Sequence, residues 1–291
     1  MTSYSRIAAV TGGNKGVGLA CVRQLALQYP KSSFNSGPFL IYLTARNKER
    51  GERALGEILQ DPQLKSAKAL KQHGGLSDVK YLALDIDSQE SIREFADVIK
   101  REHPDGIDML INNAGVALDG FDAEVVRKTL HCNYYGTLET CQKLLPQIRE
   151  GGRVVNVASM SGHIDQRYSP TIRRRFLESQ SIADVTKLME EFHKAVEGNN
   201  YSSDWPGAAY KVSKAGVIGM TRALARENAA TGSTTLINSC CPGYVQTDMT
   251  KNRGRKTPDQ GAETPVMLAL ADIGNSNGDF WSSGRKVDWE R

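Results

Sequence analysis

An α/β fold built on one doubly wound parallel sheet flanked by helices follows from three observations. Apolar strand-like runs and helical stretches alternate from Ile7 to about Leu270, the first strand opens directly into a glycine-rich turn, and no linker-like break divides the 291 residues. One domain over residues 1–291 is therefore expected. A chain of this length buries roughly three quarters of its unfolded surface, so a large core needs no crosslinks. The net charge is only +4, with Lys and Arg interleaved among acids, which argues against a nucleic-acid partner. No apolar run approaches the roughly 20 residues that span a bilayer, and Met1-Thr2-Ser3-Tyr4-Ser5-Arg6 leads straight into a strand, so no membrane partner and a cytoplasmic location are expected. The five cysteines lack C-x-x-C spacing and the five histidines lack ligand spacing, so reduced thiols and no metal are expected.

The run Ile7–Val10 is the first strand. It meets Thr11-Gly12-Gly13-Asn14-Lys15-Gly16-Val17-Gly18 and then an amphipathic helix, Leu19–Tyr29. Gly12, Gly16 and Gly18 let the backbone turn tightly and approach a pyrophosphate, whose charge the first helical N–H groups meet. The spacing departs from G-x-G-x-x-G, and a glycine turn with no ligand is the alternative. After a turn-rich segment from Pro30 to Pro38, Phe39–Arg46 is the second strand. An acid at its carboxyl end would bind the adenosine ribose of NAD; Arg46, with Lys15 in the glycine turn, instead offers two cations to the 2′-phosphate of NADP.

Lys48–Gln60 reads as a charged helix, Lys65–Ser77 as a polar connection without assigned function, and Val79–Leu84 as the third strand, ending at Asp85-Ile86-Asp87. Ser88 caps the helix Gln89–Arg101. Ile107–Ile111 is a buried strand leading into Asn112-Asn113-Ala114-Gly115, where small residues admit close approach and amides can bridge strands. A helix from Phe121 to about Tyr135 carries Asn133, with Gly136 just beyond. Strand Arg153–Ala158 delivers Ser159 at its carboxyl end, where open α/β sheets bind ligands. With no G-x-S-x-G elbow, Ser159 is a hydrogen-bonding hydroxyl rather than a nucleophile, and Ser161 is a nearby decoy.

Tyr210 and Lys214, four residues apart in a helix read over Ala208–Ala229, project from one face. An ammonium beside a phenol stabilises the phenolate and moves its pKa from near 10 toward the working range of an acid or base. The bare spacing also occurs on solvated helix faces; its company gives it weight. Strand Thr235–Cys240 leads into Cys241-Pro242-Gly243-Tyr244-Val245-Gln246-Thr247-Asp248-Met249. Thr250–Pro258, dense in Lys, Arg and Gly, reads as a mobile substrate lid within about 246–262. A last helix opens at Thr257-Pro258 and Gly278–Trp281 is a short final strand.

Six motifs in one order carry a resemblance that spans nearly the whole chain: Thr11-Gly12-x-x-x-Gly16-x-Gly18, Asn112-Asn113-Ala114-Gly115, Asn133, Ser159, Tyr210-x-x-x-Lys214 and Pro242-Gly243. The chain resembles the short-chain dehydrogenases/reductases and, within them, the carbonyl reductases. The resemblance implies a Rossmann-type fold and NADPH-dependent reduction of a small-molecule ketone, aldehyde or quinone. Tyr210 would supply the proton, Lys214 would lower its pKa and hold the nicotinamide ribose, Ser159 would position the carbonyl, and Asn133 would hold a relay water. The implied cofactor site adds Gly12, Asn14, Lys15, Gly16, Val17 and Gly18, then Arg46, then Asp85 at the adenine amino group with Ile86 beside it. Asn113, Ala114 and Gly115 follow, and Pro242, Gly243, Val245 and Thr247 wrap the nicotinamide. Bland alternatives stand beside these roles: a polar strand end for Asp85, a helix-terminal amide for Asn133, and a purely structural amide for Asn112.

Fifty residues separate Ser159 from Tyr210, more than is usual in that family, and they look helical over Thr171–Ser179 and Ile182–Val196. An insertion over about 163–206 would obstruct the dimer contact that family members make through the Tyr-x-x-x-Lys helix, so a monomer is expected. Arg173-Arg174-Arg175 is either a locally paired surface or a clamp for an acidic substrate. Trp205 either lines the substrate mouth or packs the insertion, and Cys241 either borders the pocket or is a buried thiol. The rival functions are another ketoreductase or alcohol dehydrogenase of the same fold, and an NADPH-binding regulatory protein that has lost turnover.

Overall fold

The computed structural model describes residues 4–291, so the reading of Met1, Thr2 and Ser3 lies outside the described residues. Strand β1 (Arg6–Val10) enters helix α1 (Gly16–Gln28) through the glycine turn. β2 (Phe39–Ala45), α2 (Lys48–Leu59), a one-turn α3 (Pro62–Ser66), β3 (Ser77–Ala83), α4 (Gln89–Glu102) and β4 (Ile107–Asn112) follow. The second half runs α5 (Ala123–Leu130), α6 (Thr137–Leu144), β5 (Ile148–Val157), α7 (Pro170–Glu178), α8 (Ile182–Glu197), α9 (Ala209–Ala230), β6 (Leu236–Cys241), α10 (Pro258–Leu270), β7 (Phe280–Ser282) and β8 (Arg285–Lys286). All eight strands form one sheet in the order β3-β2-β1-β4-β5-β6-β7-β8, parallel as far as β7, with β8 antiparallel at the edge. The strand order reverses between β1 and β4, which is the expected doubly wound arrangement and opens a crevice at the carboxyl ends of those strands.

Helices on both faces explain the composition of the central strands. Every residue of β2 and of β4 is buried, as continuous apolar runs in a covered parallel sheet require. One core lies under α1 and α10, with Leu25, Ile41, Leu43 and Val266; the other lies under α4, α5, α8 and α9, with Leu40, Phe95, Leu110 and Phe192.

The helix expected to stop near Tyr135 does not stop. It widens into a π turn over His131–Gly136 and continues as α6 to Leu144. Gly136 reads as a terminator in sequence, but its role is clearance: a β-carbon there would lie 2.1 Å from the Ile86 carbonyl oxygen. β5 begins at Ile148 rather than Arg153, its pairing with β4 interrupted by a register shift. α3 and β8 were not anticipated. The first is a single turn begun by the Asp61 cap and Pro62, and the second is two exposed residues with no apolar pattern.

The insertion folds as two capped helices. α8 turns Val185, Leu188, Met189, Phe192 and Val196 inward, and Ser181 with Asp184 closes a reciprocal cap at its start. Gly216 and Gly219 let α8 lie close on α9, since β-carbons there would approach Met189 Sδ to 2.6 Å and Val185 Cγ1 to 3.2 Å. Trp205, 5 % exposed, sits among Tyr168, Phe176 and Phe192, with centroids 6.2, 6.1 and 5.3 Å away. Its ring packs the insertion. Arg173 pairs with Glu290 at 2.7 Å, and Arg175 pairs with Glu191 through two contacts, one of 2.8 Å, so two of the three arginines are engaged by local acids. Trp205→Ala is expected to cost about 3–5 kcal/mol, read as a lower urea midpoint; a midpoint within error of the parent would show that the cluster does not hold the insertion.

Candidate active site

The glycine turn is closed from behind by the β4 exit. Thr11 Oγ1 accepts the backbone N–H groups of Asn113 and Ala114, each at 3.0 Å, and Asn113 Nδ2 donates to the carbonyls of Thr11 and Gly12 at 3.0 and 3.3 Å. Only glycine fits at 18, where a β-carbon would sit 2.2 Å from the Gly12 carbonyl oxygen and 2.5 Å from Asn113 Nδ2. Gly12 and Gly16 adopt φ of 62° and 55°, which L side chains rarely take. The result is a turn stripped of side chains above the start of α1, beside Asn14, Lys15 and Val17. It fits a pyrophosphate by shape and by the N–H groups it presents.

Arg46 is exposed immediately after β2. Lys15 is not a free cation: its ammonium donates to Asp248 at 2.6 Å, and that pair holds the Asp248 carboxyl below its usual range. Both partners are well exposed, at 60 and 72 %, so solvent screens the pair and a phosphate can displace it. Asp85 stands half-buried after β3, its backbone N–H bonded to Ser91 Oγ at 2.9 Å and its Oδ1 accepting from the Asp87 N–H at 3.1 Å, with Ile86 buried beside it. Asn112 is structural: its amide reaches Asn156 Oδ1 at 2.9 Å and Cys141 Sγ at 3.1 Å, and Asn156 continues the chain to Thr221 on α9 at 2.9 Å.

Across the crevice, α9 presents Tyr210 and Lys214 side by side, with the Lys214 ammonium 5.7 Å from the Tyr210 ring centre. Lys214 is 5 % exposed and donates to the Val157 carbonyl at 2.8 Å, which ties it to the end of β5. Burial pushes the Lys214 pKa down to about 8. Burial pushes the Tyr210 phenol up to about 12, partly offset by hydrogen bonding with Ser159. The sequence argument expected the ammonium to bring the phenol below its ordinary value. The opposite direction is found because the cost of removing a phenolate from water is the largest influence on the group.

Ser159 caps the short turn Met160–Gly162, its Oγ accepting from the Ser161 N–H at 3.1 Å. Asn133, fully buried in the π turn, is consumed by structure: its Oδ1 accepts from the Val116 N–H at 2.7 Å, and its Nδ2 donates to the Val116 carbonyl at 2.9 Å and to Ser213 Oγ at 3.0 Å. Gly115 allows this approach, a β-carbon there lying 3.0 Å from Asn133 Oδ1 and 3.5 Å from Lys214 Nζ. Cys241 is a buried thiol whose sulfur accepts from the Gly243 N–H at 3.3 Å.

Gly243, at φ 90°, turns the chain after Pro242 toward the crevice. Val245 is buried, and the Thr247 methyl lies where a β-carbon on Gly16 would meet it at 3.1 Å. The segment expected to be a loose lid folds back on itself. Gln246 N–H donates to the Lys256 carbonyl at 2.8 Å, Lys256 N–H to the Tyr244 carbonyl at 3.0 Å, and Thr250 Oγ1 to the Val245 carbonyl at 2.6 Å. Lys251 reaches Asp119 on the facing loop at 3.1 Å. Among the described residues, Leu118, Tyr244 and Met249 are the exposed large apolar side chains; Met249 belongs to this segment and Tyr244 stands just before it.

Sequence reasoning gave no role to Val116, Ser213 and Lys211, which support the site from behind, or to Asp248, which pairs with Lys15 at its surface. Val116, Ser213 and Asp248 left no signal, since their contacts are to backbone or span the chain. Lys211 did leave one: a charge inside a helix that is otherwise buried.

A family model described as short chain dehydrogenase matches residues 6–170 and 197–258, breaking where α7 and α8 intervene. Human carbonyl reductase (NADPH) 1 is 38 % identical, across 99 % of this chain and 100 % of that one. Carbonyl reductase (NADPH) 3 of Rattus norvegicus is 37 % identical across 93 and 92 %. Among solved structures, salutaridine reductase from Papaver somniferum superposes with a TM-score of 0.78 at 25 % identity, covering 95 % of this chain and 99 % of its own. No helix among the described residues is long and apolar enough to cross a membrane.

The depressed pKa of Lys214 has a pH signature. Between about 8 folded and about 10.4 unfolded, the unfolded chain binds the extra proton, so this group's contribution to stability rises with pH across that window. Wild-type unfolding free energy is therefore expected to gain on that of Lys214→Met from pH 8 to 10. A difference that stays flat over that range would contradict a buried, depressed ammonium.

Proposed function

The chain belongs to the short-chain dehydrogenase/reductase family, and on that premise we propose that it reduces ketones, aldehydes or quinones to alcohols with NADPH. The observation that carries this reading is the pairing of Tyr210 and Lys214 on a buried helix, with Ser159 beside Tyr210 at the carboxyl end of β5. The two carbonyl reductases named above for NADPH support the cofactor and the reaction type.

NADPH, when bound, supplies the hydride; the chain supplies the rest. Gly12, Asn14, Gly16, Val17 and Gly18 cradle the pyrophosphate. Arg46 and Lys15 hold the 2′-phosphate, Lys15 giving up Asp248 to do so. Asp85 takes the adenine amino group with Ile86 beside it. Asn113, Ala114, Gly115, Pro242, Gly243, Val245 and Thr247 border the nicotinamide half. Tyr210 rests protonated at neutral pH, given its pKa of about 12, and donates that proton to the substrate oxygen. Ser159 holds the carbonyl by hydrogen bonding. Lys214 holds the nicotinamide ribose and places a positive charge beside the phenolate as it forms, so its effect lies in the transition state rather than in the resting pKa. Asn133, which stands with Lys214 beside Gly115, is the residue we assign to the relay water.

The same reading takes residues 1–291 as one cytoplasmic domain, with 246–262 as the substrate lid; it works as a monomer because α8 already occupies the outer face of α9.

A panel of quinones, ketoesters and aromatic aldehydes, followed by loss of NADPH absorbance, tests the function; no turnover on any would favour a regulatory binding protein. Tyr210→Phe is expected to lower kcat at least about 100-fold while NADPH binding is retained, and substantial residual activity would remove Tyr210 from the mechanism. Arg46→Asp is expected to weaken NADPH at least about tenfold, with NADH far less affected. An unchanged preference would refute the phosphate contact.

A further inference from the structure

We propose that Lys211 is a positioning residue for this reaction, the cation that fastens the Ser159 turn to the catalytic helix beside Tyr210. The proposal rests on the reading of the site given above. Lys211 follows Tyr210 directly on α9, yet it is only 4 % exposed, a rare state for a lysine unless it is fully paired. Its ammonium has three protons and meets three acceptors: the Ser161 carbonyl at 3.1 Å, the His163 carbonyl at 2.8 Å and Asp165 Oδ2 at 2.9 Å. The ring of Tyr168 lies 5.3 Å away. Burial works to raise the Asp165 carboxyl, but hydrogen bonds from Arg167 and Lys211 outweigh it and hold the group ionised.

The anchored segment begins at Ser159. Ser161 is held at both ends, its N–H on Ser159 Oγ and its carbonyl on Lys211 Nζ. The intervening Gly162 carbonyl is taken by the Trp289 indole at 3.0 Å. Three successive carbonyls after Met160 are thus bound by side chains from α9 and the chain's end. The fit leaves no slack, for a β-carbon on Gly162 would sit 2.7 Å from the Lys214 carbonyl oxygen. Lys211 does not touch substrate. It acts through Ser161 to fix where the Ser159 hydroxyl stands relative to Tyr210.

The test compares Lys211→Met, Lys211→Arg and Asp165→Asn as full-length proteins, with the NADPH dissociation constant read by fluorescence and kcat and KM read on the best substrate of the panel. Lys211→Met is expected to lower kcat on the order of 100-fold, the effect of displacing a reacting group by about 1 Å, with the NADPH dissociation constant within about twofold of wild type. Lys211→Arg restores most of that loss, because charge and donors return. Asp165→Asn, which keeps the lysine but removes its one ionic anchor, falls between. Should Lys211→Met not fold, Asp165→Asn decides, and wild-type kcat there overturns the proposal, as does wild-type kcat in a folded Lys211→Met. Hydrogen exchange over residues 159–164 provides a readout free of substrate: it rises in Lys211→Met or Asp165→Asn if the fastening is real. Unchanged exchange overturns the proposal even where wild-type enzyme is active, and faster exchange with no turnover by wild type overturns only the assigned reaction.

Discussion

The burial of α9 is the constraint from which the rest of the site follows. α8, the π turn and the end of the chain cover this helix, and from Lys211 to Thr221 no residue is exposed. Polar groups carried into such a place must find partners, because each unpaired donor or charge costs kilocalories. Each finds one on an element that bears function. Lys214 goes to the Val157 carbonyl at the end of β5, Ser213 to Asn133 and the Tyr210 carbonyl, and Thr221 to the amide chain through Asn156 and Asn112. The catalytic geometry is thus a by-product of satisfying a buried helix. That is an inexpensive way to preorganise donors, since the stability of the fold and the placement of the site are enforced by the same bonds.

Burial also sets the resting ionisation. Tyr210 and Lys214 are moved in opposite directions, each toward its neutral form, which is what low polarity does to an acid and a base together. A resting phenol that keeps its proton suits a proton donor. The cation beside it matters at the moment the phenolate forms, when its field acts in a site that water cannot screen. Pairing a reluctant acid with a depressed lysine is therefore consistent with reduction of a carbonyl, where the proton moves toward substrate.

Much of this was legible in sequence. Strand and helix alternation predicted the sheet, and each strand it named is present; the glycine turn, the β2 end at Arg46 and the Tyr210–Lys214 spacing point to the crevice from sequence alone. What escaped has a common physical character. Gly136 was ambiguous because a glycine that ends a helix and one that makes room within it look alike in one dimension. Lys15 looked free because its partner Asp248 lies 233 positions away. Nothing local to Asn133 reveals that the Val116 backbone claims its amide. The backbone pairing across 244–256 left no mark in a segment that composition shows only as dense in charge and glycine.

The insertion and the end of the chain act as one device. Trp289 packs on α9, where a β-carbon on Gly219 would come within 3.0 Å of its ring; it meets Phe176 of α7 edge to face at 5.8 Å, and the Arg222 guanidinium lies over its ring at 5.2 Å. Its carbonyl accepts the Ile164 N–H at 3.0 Å, and Arg173 of α7 reaches its neighbour Glu290. A helix that carries the reacting groups needs a rigid outer wall, and a second subunit can supply one. Here α8 and the tail fill that role within a single chain, with small residues at 216 and 219 admitting the added layer as close as a partner helix would come. The wall and the Ser159 turn share Trp289, so covering α9 and fixing the turn that carries the Ser159 hydroxyl are one packing problem with one solution.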